Sequence, residues 1–240
     1  LAGDIKKRDA DSNAWQMSPP ALYQEGIKVQ TPWLYSFLKN PQQLRHVTVL
    51  RMPKFNMTDA EAQTLANYFA AYDGVSYPYQ NVPERSPAYL SAMNERYHER
   101  HPDRPGDYLQ ESWRVLNAPI CVKCHSVAGH EYKKSADPKD IRGPNLEYVT
   151  DRLRPEWAML WLYKPLWITP YTSMPPVFRK DQTQFKPLMD GDPLDQVVGV
   201  RDALMNYMWL LEKEGKLPLA AAPAPADATP AKGDTKEGGN

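Results

Sequence analysis

Apolar residues at helical spacing organise this chain. Thr58-Asp59-Ala60-Glu61 has the form of a capping box, apolar residues then recur with a helical period, and Gly74 supplies the stop. Val197, Val200, Leu204, Tyr207, Met208 and Leu211 keep the same period and predict a helix over Val197–Leu211. Asp107–Asn117 (DYLQESWRVLN) reads as another helix. So does the charged stretch Ala88–Arg100, which His101–Gly106 (HPDRPG) breaks. Met159, Met205 and Met208 fall on helical stretches and are expected in the core. The fold class these elements predict is mainly α.

An internal repeat pairs the elements. Pro20, Leu22, Trp33, Leu38 and Pro41 are matched 124 positions later by Pro144, Leu146, Trp157, Leu162 and Pro165. A two-residue slip aligns Met52-Pro53 with Met174-Pro175. Beyond an insertion, Leu65, Asn67 and Tyr68 align with Leu204, Asn206 and Tyr207. Each copy reads as a Pro-x-Leu loop, a Trp-bearing helix, a Met-Pro loop and a final helix. The insertion Val177–Asp195 is polar and Pro-containing and follows Met174 directly, as a shield for that side or as a docking surface. Gly74–Pro87 (GVSYPYQNVPERSP) reads as an extended connection between the copies. From Pro218 the composition collapses to Ala, Pro, Asp, Thr, Lys and Gly, a solvated tail with nothing to bury.

Composition narrows the class of partner. A chain of 240 residues holds one or two ordinary domains. Its 29 basic and 29 acidic residues leave no field of one sign to attract nucleic acid or an anionic membrane. No stretch approaches the length of apolar sequence that spans a bilayer. The 24 prolines imply many irregular connections. The chain opens on Leu1 rather than Met, which points to a processed terminus or a longer natural polypeptide.

Both cysteines lie in one pentapeptide, Cys121-Val122-Lys123-Cys124-His125. Two thiols at this spacing can form thioethers to the two vinyl groups of a haem, and the histidine that follows lands where it can ligate the iron. The seven tryptophans supply bulky apolar surface suited to such a planar cofactor. Two other chemistries use a CxxC. A redox dithiol sits beside a βαβ pattern, but no run of β-branched residues precedes Cys121. A structural zinc site needs four N/S ligands, and there is no second cysteine pair for His130 to complete. The motif therefore predicts covalent haem c at Cys121, Cys124 and His125. His46, His98 and His101 read as surface histidines.

The second copy as a whole resembles the class I cytochrome c family. The match runs through a helix, CVKCH, the Arg142-Gly143-Pro144-Asn145-Leu146 loop, the Trp157–Lys164 helix, Thr172-Ser173-Met174-Pro175-Pro176 and the final helix. The resemblance implies two tandem cytochrome c-like helical domains joined by a Pro-rich linker. Residues 1–74 would be the C-terminal part of a first domain and 75–105 a linker with a short helix. Residues 106–217 would be a complete domain and 218–240 a disordered low-complexity tail. It further implies His125 as proximal and Met174 as distal iron ligand, with the Pro144 carbonyl accepting the imidazole N–H. Pro144, Leu146 and Trp157 join Cys121 and Cys124 around the cofactor.

The first copy keeps Met52 in its Met-Pro loop and has no CxxCH. Projecting the repeat places the counterpart of His125 near Leu1, and Leu1-Ala2-Gly3 with Lys6-Lys7 echoes Ser126-Val127-Ala128-Gly129 with Lys133-Lys134. The expectation is a second haem c attached just upstream of Leu1, with Met52 as its distal ligand. The alternative is a degenerate copy with Met52 in its packing.

Iron held by His and Met has no open position and a raised potential, which suits one-electron shuttling rather than catalysis. The function this implies is electron transfer, as a dihaem subunit or module of a respiratory or periplasmic redox complex. Its partners would be redox proteins, including membrane respiratory complex subunits, and not nucleic acid. The family resemblance places it in the periplasm or on the outer face of the cytoplasmic membrane, any signal or anchor lying upstream of Leu1. The alternative is a haem enzyme, a dihaem peroxidase or the cytochrome domain of a dehydrogenase.

Overall fold

The computed structural model describes residues 14–15, 18–19, 21–46, 52–136, 141–181 and 186–215. Leu1–Gly3, Lys6, Lys7, Pro20 and the tail from Pro218, all used in the repeat and tail assignments, lie outside these. The first copy contributes α1 (Glu25–Lys28), α2 (Thr31–Lys39) and α3 (Asp59–Tyr72). A 3₁₀ turn at Pro83–Arg85 and α4 (Pro87–Arg100) connect it to the second. The second copy begins with α5 (Tyr108–Leu116) and α6 (Pro119–Val122), then α7 (Val149–Arg152), α8 (Pro155–Tyr163) and α9 (Pro165–Ile168). It ends in α10 (Pro193–Met205) and α11 (Tyr207–Glu214). The protein is mainly helical, and the described residues form two isolated β-bridges but no β-strand ladder. No helix among the described residues is long and apolar enough to cross a membrane.

Local chemistry sets the ends of α3. The Thr58 hydroxyl accepts the Glu61 N–H at 3.3 Å while the Glu61 carboxylate accepts the Thr58 N–H at 2.8 Å, the reciprocal cap expected. The helix closes before Gly74, whose φ of 68° no branched residue adopts cheaply. Its buried stripe is Ala62, Ala66 and Ala70, small enough for α1 to lie almost on the backbone. A Cβ added at Gly26 of α1 would fall 2.1 Å from the Phe69 carbonyl oxygen.

The repeat is also structural. α1 and α7 coincide under the 124-residue shift, and so do α2 and α8. The two copies meet through equivalent residues. Val29 and Leu153 form an antiparallel bridge. The Gln30 N–H donates to the Arg152 carbonyl at 2.8 Å, and the Arg154 N–H to the Lys28 carbonyl at 3.0 Å. Lys28 lies 6.0 Å from the Trp157 ring centroid, and Arg152 lies 5.3 Å from that of Trp33. Each of these contacts is answered by its counterpart, so the junction has the self-complementary character of a two-fold interface. Arg154, 3% exposed, locks it by donating to the Val29 and Ser76 carbonyls, the Thr31 hydroxyl and the Gln80 side chain.

α10 is the other centre of packing, lying against α5 and α8. Asp202, fully buried on it, accepts from Tyr108 Oη at 2.6 Å, Tyr89 Oη at 3.0 Å and Arg201 Nε at 2.8 Å. Burial pushes the Asp202 carboxyl and both phenols upward. Because Tyr89 belongs to α4, this buried network fastens the connecting segment to the second copy.

Three expectations change, and one segment gains a role. The helix over Val197–Leu211 breaks at Asn206, where the Asn206 side chain donates to the Glu84 and Asp202 carbonyls at 2.9 Å each. The restart as α11 turns Met208 outward to 53% exposure, so Met208 is not core, whereas Met205 is buried. His101 is buried rather than on the surface, with Nδ1 against Asp190 and Nε2 3.5 Å from Asp195. The polar insertion adds Val177, Phe178 and Met189 to the core.

Replacing Arg154 with alanine strips donors from four acceptors at the junction, and the denaturant midpoint should fall by an amount equivalent to about 3 kcal/mol. Met208→Ala should cost less than about 1 kcal/mol in the same assay, as an outward-facing position requires.

Candidate functional site at the Cys121–His125 turn

Pro119 opens the short helix α6, its missing N–H harmless at a helix start. The chain then stays wound through the motif. The Lys123 N–H donates to the Pro119 carbonyl at 3.0 Å, and the Cys124 and His125 N–H groups both donate to the Cys121 carbonyl, at 3.2 and 3.0 Å. One helical turn therefore carries both sulfurs, which brings residues three apart to the same side. The cysteines are thiols rather than a disulfide, each half-buried. Burial, helped by the neighbouring Cys124, pushes the Cys121 thiol up to about 12.

A second strand of backbone straps this turn. The Gly143 N–H donates to the Cys124 carbonyl at 2.7 Å, and the Leu146 N–H to the Ser126 carbonyl at 3.0 Å. Between those bonds the His125 Nδ1 lies 2.6 Å from the Pro144 carbonyl. A carbonyl can only accept, so Nδ1 carries the proton and Nε2 holds the lone pair. Burial lowers the pKa of His125, with the Pro144 bond opposing in part. The ring is thus a neutral, oriented imidazole.

Gly143 makes that orientation possible. A Cβ there would lie 2.5 Å from His125 Cε1 and 2.7 Å from Nδ1, so the imidazole rests on bare backbone. Beyond the motif, the turn at Ala128 and Gly129 is closed by the Val127–His130 bridge. The Ala128 N–H donates to Tyr207 Oη at 2.7 Å, and the Tyr207 ring meets Trp113 of α5 edge to face at 5.2 Å. This pins the segment to α11 and α5.

The remaining predicted residues occupy varied places. Leu146 and Met174 are half-buried and pack against the core, Met174 in the loop after α9 with its N–H donating to Thr172 Oγ1 at 3.2 Å. Trp157 is buried on α8, stacked on Trp161 at 5.1 Å and beneath Lys28 of the first copy. Met52 is exposed in a segment without regular secondary structure. His46 is half-buried beside a cavity that Pro144 also lines. The turn thus unites Cys121, Cys124, His125 and Pro144, with Met174 in a separate loop and Met52 on the other copy. Among the described residues no three His, Cys, Asp or Glu side chains cluster as metal ligands. The turn offers one imidazole nitrogen and two thiols, one donor short of the four N/S ligands of a structural zinc site.

Comparison of the chain with protein-family models, with curated proteins and with solved structures finds no match.

Gly143→Ala should displace the imidazole from the Pro144 carbonyl, seen as a lower melting temperature and an altered His125 Nδ1–H signal in proton NMR. Cys121 in the folded, unmodified chain should be alkylated at neutral pH far more slowly than in denaturant, since a thiol pKa near 12 against 9.0 leaves roughly a thousandfold less thiolate.

Proposed function

We propose that this chain is an electron-transfer c-type cytochrome carrying haem c on Cys121 and Cys124. The observation that carries the reading is the neutral His125 ring, fixed through Nδ1 by the Pro144 carbonyl over Gly143, directly after a paired-thiol turn. That geometry leaves Nε2 as the one lone pair able to bind iron, and a ligand oriented from behind is a more basic one. A porphyrin supplies the four nitrogens that the chain lacks. When bound, haem contributes reversible one-electron chemistry.

The chain's own residues do the rest. Cys121 and Cys124 would hold the group covalently, and His125 and the Met174 thioether would ligate its iron. Pro144 and Leu146 hold the loop behind the imidazole, and the apolar side chains around Met174 exclude water. With His125 and Met174 both committed to the iron, no position would be left for substrate, which suits electron exchange. This chemistry belongs to the periplasm or the outer face of the cytoplasmic membrane. α9 exposes Leu166 and Trp167 just before the Met174 loop, apolar surface on which a redox partner such as a respiratory complex subunit can dock.

The first copy fits the same reading as part of a second haem domain, in which Met52 would ligate the iron and a CxxCH would lie upstream. Support comes from equivalent helices. Tyr207 is 2% exposed, covered by Trp113 of α5, whereas its counterpart Tyr68 on α3 is 56% exposed. Among the described residues no counterpart of α5 covers α3.

The test is spectroscopic. The ferric protein should be low-spin with a weak Met-to-iron charge-transfer band in the red. Met174→Ala should abolish that band and lower the reduction potential, while Met208→Ala should change neither. A high-spin ferric spectrum with rapid peroxide turnover would replace electron transfer with a haem enzyme.

A further inference from the structure

Where the two copies meet, the segment after α2 and the Arg142–Arg152 region enclose a cavity of about 160 Å³. It has room for a small oxyanion or a few waters. Gln43 and His46 enter from the first copy, and Arg142, Asn145, Tyr148 and Arg152 from the second. Neither copy builds it alone.

Arg152 is the telling residue. Its guanidinium lies over the Trp33 ring at 5.3 Å, and its Nε is shut away from solvent with no hydrogen-bond partner among the described residues. Buried donors in native proteins are satisfied, and an orphaned cationic donor that lines a cavity calls for an acceptor in that cavity. Among the described residues the nearby charges do not provide one. Glu25, which acts on Arg152, is held by Lys28 at 2.8 Å. Glu147 takes the Asn145 amide at 3.2 Å. Arg45 and Lys28 add positive charge around Arg152, and burial, with a smaller contribution from Arg142, lowers the pKa of His46. A small space thus has cationic walls and an unmatched donor.

We propose that this junction cavity is an oxyanion site, binding one carboxylate or phosphate group against Arg152 Nε–H, with Arg142 and His46 as further contacts. Two sources supply that chemistry. One is a carboxylate of the haem on Cys121 and Cys124, because Pro144 touches both the cavity and His125. The other is a free inorganic anion. The first source rests on the cytochrome reading and the second does not.

The experiment titrates inorganic phosphate into the purified protein by calorimetry and measures the reduction potential in phosphate-free buffer, for wild type, Arg152→Gln and Arg152→Lys. A free-anion site gives phosphate binding that Arg152→Gln weakens about tenfold or more, the worth of a charge-assisted hydrogen bond, with the potential unmoved. A haem-carboxylate site gives no phosphate binding, a lower potential in Arg152→Gln and a near-native potential in Arg152→Lys. If Arg152→Gln fails to fold, Arg142→Gln and His46→Gln carry the same readouts. A preparation without haem removes the first source only, since phosphate binding still decides the second. The proposal is overturned if wild type and all folded variants neither bind phosphate nor differ in potential.

Discussion

The antiparallel contact between Val29 and Leu153 is the constraint on which the arrangement of this molecule depends. It joins equivalent positions of an internal repeat, and each backbone bond and each cation over a ring on one side has its counterpart on the other. Two copies of one supersecondary unit can cover each other in this way because the same side chains serve as knob and as socket. Arg154 adds what symmetry does not, a buried cation fully engaged by the connecting segment at Ser76 and Gln80. The pairing also sets the segment carrying His46 beside the Pro144 loop, so that the first copy forms part of the surroundings of the second copy's site.

Within the second copy, the links from residue type to chemistry are short. Proline at α6 starts a helical turn, and the turn carries two thiols and presents His125 to the next loop. Glycine at 143 lets that loop approach, and the Pro144 carbonyl fixes the ring's tautomer. The outcome is a single oriented nitrogen lone pair in a half-buried setting. This is little for a metal site made of side chains alone, and sufficient for a ligand to an iron that brings its own macrocycle. The buried Tyr89–Asp202–Tyr108–Arg201 network serves a different end, holding α4 against α10.

What was legible beforehand was what depends on near neighbours in sequence. The cap at Thr58, the helix at Tyr108–Leu116 and the thiol pair need only a few consecutive residues, and the repeat needs only a constant spacing. What was missed depends on residues far apart. Asn206 breaks a helix because Glu84 offers it a carbonyl, and Met208 faces outward in consequence. His101 is buried because Asp190 and Asp195 arrive from an insertion that reads as polar. Gly143 stood in the sequence as part of a loop motif, but its role requires knowing that His125 lies against it. A glycine directly before that proline was the available signal.

The central claim is that the turn at Cys121–His125 carries covalent haem, and haem counting tests it most directly. The chain would be produced in cells with haem-attachment machinery, extracted with acidic acetone to remove unattached haem, and assayed by pyridine haemochrome. The account predicts one haem retained per chain of this sequence, and none when Cys121 and Cys124 are both replaced by serine. A wild-type chain that folds and retains no haem after extraction would contradict it.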